Sequence, residues 1–152
     1  DLARWFTGEI RSVFGKVKTK SWDVKVEDNA FILLESKEGV DILLHTSWTE
    51  WKNDFSFSLF GTKGYLKIEG LCGSYGDGFL EIGIRREEGG EPYIEYFLPS
   101  EEDISWKKEW IEFKCAINED RQPIGSGIDG LQANKIVEAI YLSSQTNKIV
   151  KL

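Results

Sequence analysis

One histidine, two cysteines and no methionine in 152 residues leave several chemistries without material. A zinc site, a histidine-rich metal cluster or a Ser-His-Asp relay would have to be built around His45 alone. His45 falls in an extended run and reads as a partly buried or interfacial imidazole rather than a ligand. Cys72 and Cys115 are far apart and show no Cys-x-x-Cys spacing, so they read as small thiols in a reducing compartment rather than as a bridge. The net charge is -7, and no basic run is longer than Arg85-Arg86 or Lys107-Lys108. That excludes a nucleic-acid backbone as partner. No apolar run approaches the roughly 20 residues of a membrane span, and no charged-then-apolar leader is present. A cytoplasmic location and no membrane partner are expected.

What is present is enough for one core: 41% hydrophobic and 13% aromatic residues in a chain of ordinary domain size. A single domain over 1–152 is the expectation. At the start, Leu2, Trp5 and Phe6 fall on one helical stripe, and Gly8 stands where a left-handed stop belongs. No Ser, Thr or Asn cap and no initiator Met precede them, so the chain reads as a piece cut from a longer protein.

Residues 13–20 alternate as an extended segment. Residues 30–36 and 40–48 form a hairpin about Lys37-Glu38-Gly39. Residues 54–60 have the clearest period of two, with Phe55, Phe57 and Leu59 opposed to Ser56 and Ser58. After the turn Gly61-Thr62-Lys63-Gly64 come strands at 65–69, 79–86 and 93–98, the first two separated by a loop carrying Gly70, Gly73, Gly76 and Gly78. Then helices return. Ser100-Glu101-Glu102-Asp103 resembles a capping box ahead of Trp106, Trp110, Phe113 and Ile117. A second helix runs from an N-cap at Asp129 to Ser144, and 148–152 reads as a closing strand. Strands followed by helices predict an α+β fold, an open-faced, predominantly antiparallel sheet of about seven or eight strands with helices packed on one face. Val40, Ile42, Leu44, Phe55, Phe57 and Leu59 form the face for two helices to cover. The opposite face mixes Leu43, His45, Ser47, Ser56 and Ser58, and reads either as ordinary solvent-facing surface or as a surface that meets another subunit.

Several patterns fail on context. Gly125-Ser126-Gly127-Ile128-Asp129-Gly130 fits Gly-x-Gly-x-x-Gly, but Gln122-Pro123-Ile124 precedes it, and no acidic residue follows at the distance that holds a ribose. The glycine loop at 70–78 has no Lys-Ser or Lys-Thr pair, so it is no phosphate loop. Glu27 and Asp28 are neighbours in extended chain and point apart, which suits a structural loop better than a carboxylate pair. Trp48, Trp51 and Lys52 either stack on a sugar and pin its hydroxyl, or complete a core. No catalytic or metal-ligating residue is assigned.

Four stretches together resemble the C-terminal domain of the glucose-fructose oxidoreductase, inositol dehydrogenase and MocA family. They are residues 1–8; Val26-Glu27-Asp28-Asn29-Ala30; Phe60-Gly61-Thr62-Lys63-Gly64-Tyr65-Leu66; and Gly127-Ile128-Asp129-Gly130-Leu131 with Glu138-Ala139-Ile140-Tyr141-Leu142-Ser143-Ser144. The resemblance implies a substrate-binding and oligomerising domain of an NAD- or NADP-dependent oxidoreductase acting on a sugar or polyol hydroxyl. It also implies a separate Rossmann domain that supplies the cofactor site, the catalytic lysine of a Glu-Lys-Pro segment and the histidine of an Asp-x-x-x-His element. Glu91-Pro92 has no lysine between its residues, and His45 lies too late to be that histidine. The piece is therefore expected to be inactive alone and to form at least a dimer through the mixed sheet face. Arg4 joins Trp48, Trp51 and Lys52 as expected substrate contacts, from its nearness to the implied histidine. The competing reading is a stand-alone carbohydrate- or protein-binding module without catalysis.

Overall fold

A computed structural model describes residues 1–98 and 103–152. The expected capping box at 100–103 therefore falls largely outside the described residues. Backbone contacts divide the chain into two compact units, 1–49 with 107–152, and 50–106.

The first unit opens with helix α1 (Leu2–Thr7), which stops at Gly8, φ 81°, whose amide donates to the Arg4 carbonyl. Strands β1 (Ile10–Lys18), β2 (Asn29–Ser36) and β3 (Asp41–Ser47) follow. Gly39 turns the β2–β3 hairpin at φ 81°, a backbone region that glycine enters without steric cost. Helix α2 (Ser105–Asn118) starts where the Asp103 carboxylate accepts from the Ser105 amide at 2.9 Å. Helix α3 (Gly127–Thr146) ends at Asn147 in the left-handed conformation, and β8 (Val150–Lys151) closes the sheet in the order β3-β2-β1-β8, with the β1–β2, β2–β3 and β1–β8 ladders all antiparallel.

Register explains where the core lies. Val13 stands opposite Leu34, Gly15 opposite Ile32 and Val17 opposite Ala30, while Ile42 and Leu44 extend the same face from β3. α3 covers this face. Ile10, Val13, Ala30, Ile32, Leu34, Ala139 and Ile140 are buried together, with Val17, Ile42, Ile136 and Val150 packed against them. A Cβ at Gly15 would strike Ile140, so the missing side chain is what lets α3 lie close to β1. Ser143 and Ser144 complete the join. Their hydroxyls accept from the Gly15 and Val17 amides at 3.0 Å each, and Ser143 Oγ donates to the Lys148 carbonyl at 2.6 Å.

The second unit is a sheet of four antiparallel strands in sequence order: β4 (Ser56–Gly61), β5 (Gly64–Glu69), β6 (Phe79–Ile84) and β7 (Tyr93–Phe97). Phe57, Leu59, Leu66, Ile68, Leu80 and Ile82 share one face through the ladder. On the other face the Tyr65 hydroxyl donates to Glu81 at 2.5 Å and Lys67 meets Glu69 at 2.5 Å.

The α+β class and the antiparallel pairing stand as expected, and the strands among the described residues number eight. They form two four-stranded sheets rather than one. Between β3 and β4 the chain runs irregular, and Trp51 takes a left-handed φ of 59°, which breaks the extended run. The expected helical cover also differs. The core is centred on β1 and β2 under α3, whereas Trp106, Trp110, Phe113 and Ile117 of α2 are exposed. Helical period finds a stripe but not what it faces. Nor is Asp129 the N-cap: Ser126 is, and Asp129 is the third helical residue that completes a reciprocal capping box.

Candidate functional site

The described part of the first unit contains an open groove of about 370 Å³ between α1 and the start of α3, lined by Asp1, Leu2, Arg4, Trp5, Glu9, Gly125 and Asp129. The local sequence builds it in two moves. The stop at Gly8 sends the chain from α1 directly into β1 and leaves Glu9 at the junction. The capping box fixes the first turn of α3, with Asp129 Oδ2 accepting from both the Ser126 amide and its hydroxyl at 2.8 Å.

Arg4 ties these pieces together. Its side chain is only 9% exposed. Nη2 donates to Glu9 at 2.6 Å, and Nη1 reaches Asp129 Oδ1 at 3.3 Å and Asp1 at 3.4 Å. The electrostatics are mutual. The hydrogen bond to Glu9 raises the Arg4 pKa against the opposing effect of burial, and the same bond lowers Glu9. The Ser126 hydroxyl is the first cause of the lowered Asp129 pKa, with Arg4 adding to it. The groove thus presents ionised carboxylates, a fixed guanidinium and the exposed indole of Trp5. Carboxylates accept hydrogen bonds from hydroxyls, guanidinium donates to them, and an indole face offers flat apolar area.

At the opposite end of β1–β3 a second polar network holds the loop after β1. Asp28 is buried, and its carboxylate accepts from the amides of Lys20 at 2.9 Å, Ser21 at 2.8 Å and Trp22 at 3.1 Å, and from Asn29 Nδ2 at 3.0 Å. Burial would push this carboxyl up, but the bond from Asn29 and the three amides outweigh it and hold it well below the ordinary carboxylate range. Asn29 Nδ2 also reaches Thr49 at 2.8 Å. The reading of Glu27 and Asp28 as a structural loop agrees with this geometry, since Glu27 instead accepts from the Tyr141 hydroxyl at 2.7 Å.

Trp48 belongs to this end. Its amide donates to the Asp28 carbonyl at 2.8 Å, its carbonyl accepts from Trp22 Nε1 at 3.3 Å, and it is 79% exposed. The nine residues of β1 separate the two ends by roughly 25 Å at about 3.3 Å per residue, so Arg4 and Trp48 are not brought to one small ligand. Trp51 and Lys52 are exposed in the second unit. Sequence reasoning missed Glu9 and Ser126 as partners of this site. The Ser-x-x-Asp spacing from 126 to 129 was the available signal for the second; nothing local marked the first.

The loop at 125–130 follows α2 and its turn rather than a strand, and Asp129 is engaged by Ser126 and Arg4. These residues do not fit a dinucleotide cradle. No group of three His, Cys, Asp or Glu suited to a metal occurs among the described residues. Cys72 and Cys115 are free thiols, and no described helix is long and apolar enough to cross a membrane.

Residues 1–67 match the family described as the GFO/IDH/MocA C-terminal domain. No curated protein matches the chain. Among solved structures, the aldose-aldose oxidoreductase from Caulobacter crescentus, complexed with glycerol, is 25% identical with a TM-score of 0.81 over 99% of this chain and 44% of that one. Levoglucosan dehydrogenase, in complex with NADH and levoglucosan, is 20% identical with a TM-score of 0.80 over 100% of this chain and 47% of that one. The WlbA dehydrogenase from Bordetella pertussis, in complex with NADH and UDP-GlcNAcA, is 19% identical with a TM-score of 0.72 over 99% and 41%. The chain spans less than half the length of each of these proteins. As the motifs implied, it is similar to GFO/IDH/MocA C-terminal domains, in sequence over its first 67 residues and in fold along its length.

Proposed function

We infer that residues 1–152 act as one substrate-binding and oligomerising domain of an NAD- or NADP-dependent oxidoreductase that works on a sugar or polyol hydroxyl in the reducing cytoplasm. The observation that carries this is the α1–α3 groove, where Arg4, Glu9 and Asp129 are fixed beside an exposed Trp5. Such a set suits a ligand made of hydroxyls on a carbon ring: Glu9 and Asp129 accept, Arg4 donates, and Trp5 covers an apolar sugar face. The glycerol, levoglucosan and nucleotide-sugar complexes of the similar structures support that ligand class.

In this reading the nicotinamide takes up or gives the hydride. The resemblance puts NAD or NADP, with the catalytic lysine and histidine, on a separate Rossmann domain, which is then the partner. The chain alone then binds polyol without turnover. Trp48 in the first unit, and Trp51 and Lys52 in the second, are further candidate contacts, each exposed. Leu43 is 84% exposed on β3 beside exposed Leu33 and Phe31 on the face that α3 does not cover, which supports assembly through that face.

The test is NMR titration of the 152-residue chain with glycerol and with levoglucosan. Saturable shifts at Arg4 Nε and Trp5 Nε1, lost in Arg4→Ala, are expected; shifts confined to Trp48 and Trp51 would move the site away from the groove. Saturable turnover of either polyol with NAD or NADP by this chain alone would overturn the assignment.

A further inference from the structure

Among the described residues β7 is an outer strand of the second unit's sheet, hydrogen-bonded to β6 on one side only. All five of its residues, Tyr93-Ile94-Glu95-Tyr96-Phe97, are exposed, and it pairs with β6 in unbroken register. Natural edges are usually blunted by charges, proline or a bulge, and this strand has no lysine, proline or bulge and a single charge, Glu95. Its aromatic and β-branched residues instead favour pairing. At its head Arg86 lies over the Tyr93 ring, guanidinium carbon 4.3 Å from the centroid, and Arg86 Nε is buried with no acceptor among the described residues. Arg86 as a whole is only half-buried, so the rest of its guanidinium, held on the ring beside the strand edge, can donate to an acceptor carried by a partner.

We propose that β7 pairs antiparallel with β7 of a second copy about a two-fold axis at Ile94, so that Glu95 of each copy accepts from Arg86 of the other. The ladder puts Tyr93, Glu95 and Phe97 on one face of the sheet and Ile94 and Tyr96 on the other. A two-fold axis normal to the sheet keeps faces matched, which leaves three registers in which at least three residues of β7 pair. Centred on Glu95, the two carboxylates oppose each other, and like charges directly opposite are destabilising. Centred on Tyr96, each Glu95 meets a Phe97 and Arg86 stays unanswered. Centred on Ile94, each Glu95 stands opposite the Tyr93 on which the facing Arg86 is stacked. Directly opposed side chains have Cβ atoms about 4.5–5.5 Å apart, within reach of that guanidinium. This edge is distinct from the sheet face invoked above and does not depend on the substrate reading.

The test uses the whole chain with Cys72→Ser and Cys115→Ser as background. Ile94→Cys is expected to give a covalent dimer on mild oxidation, because the axis sets the introduced thiol of each copy against its equivalent. Its failure to cross-link would overturn the proposal. Leu43→Cys in the same background reports the sheet-face contact, so either interface can fail without the other. In sedimentation equilibrium, Glu95→Arg and Arg86→Glu are each expected to weaken self-association about tenfold, about 1.4 kcal/mol shared by the two symmetry-related charged pairs that each substitution breaks. Combining the two in one chain restores it. An unrestored double variant whose circular dichroism matches the parent would also overturn the pairing.

Discussion

Replacing Ser143 by Ala removes one oxygen atom that serves two backbone groups. The hydroxyl accepts from the Gly15 amide at 3.0 Å and donates to the Lys148 carbonyl at 2.6 Å, and the side chain is 0% exposed. Gly15 lies on the side of β1 that β8 reaches only at Ser12 and Val13, so no strand can take over its amide. An orphaned buried donor costs about 1–3 kcal/mol, and the loss at Lys148 adds up to about 1 kcal/mol more, so the first unit is destabilised by about 1–4 kcal/mol. Alanine fits the same space, so no steric relief offsets this. Urea unfolding followed by tryptophan fluorescence reads the change as a lowered midpoint, and hydrogen exchange at the Gly15 amide locates it. Ser144→Ala, which loses only the Val17 bond at the half-buried neighbouring position, is the control and costs about 0.5–1.5 kcal/mol. A Ser143→Ala variant within about 0.5 kcal/mol of the parent, comparable to an ordinary surface change, would refute this account of how α3 is fastened.

Gly15→Ala is expected to cost about 1–3 kcal/mol through overpacking against Ile140, and a double-mutant cycle with Ile140→Ala should show coupling between the two sites. Asp28 predicts acid sensitivity. Its folded pKa is lowered, so its stabilising contribution is complete above the ordinary carboxylate value near 4 and is lost as pH falls below it. Acid unfolding of Asp28→Asn should start from lower stability at about pH 7 and fall less steeply below about pH 4; a curve parallel to the parent's would count against the network.

The strands were legible because alternation reports which side chains share a face, and the hairpin turns announced themselves through Gly39 and Gly64. The closing helix was legible through its apolar spacing, yet its cap was displaced by three residues, since Ser126 and Asp129 are both good capping residues and only the backbone chooses between them. The split into two sheets was not legible. Its sign is the left-handed backbone at Trp51, a conformation tryptophan does not advertise. The Arg4 cluster was half visible: the guanidinium stood out, but Asp129 is 125 residues away and Glu9 lies across a helix end, so neither pairing leaves a local trace. Ser143 and Ser144 looked like ordinary polar residues at a helix end, because their partners are backbone amides of another element.

The first unit is assembled from both ends of the chain, with Gly15 bonded to a residue 128 positions later. During synthesis β1, β2 and β3 emerge long before α3, and their apolar surface lacks its cover until residues 127–146 have followed. The second unit is continuous and needs no such wait. Closing so large a loop is entropically slow, so the docking of α3 on β1 is expected to be the late step in which this sheet gains its cover.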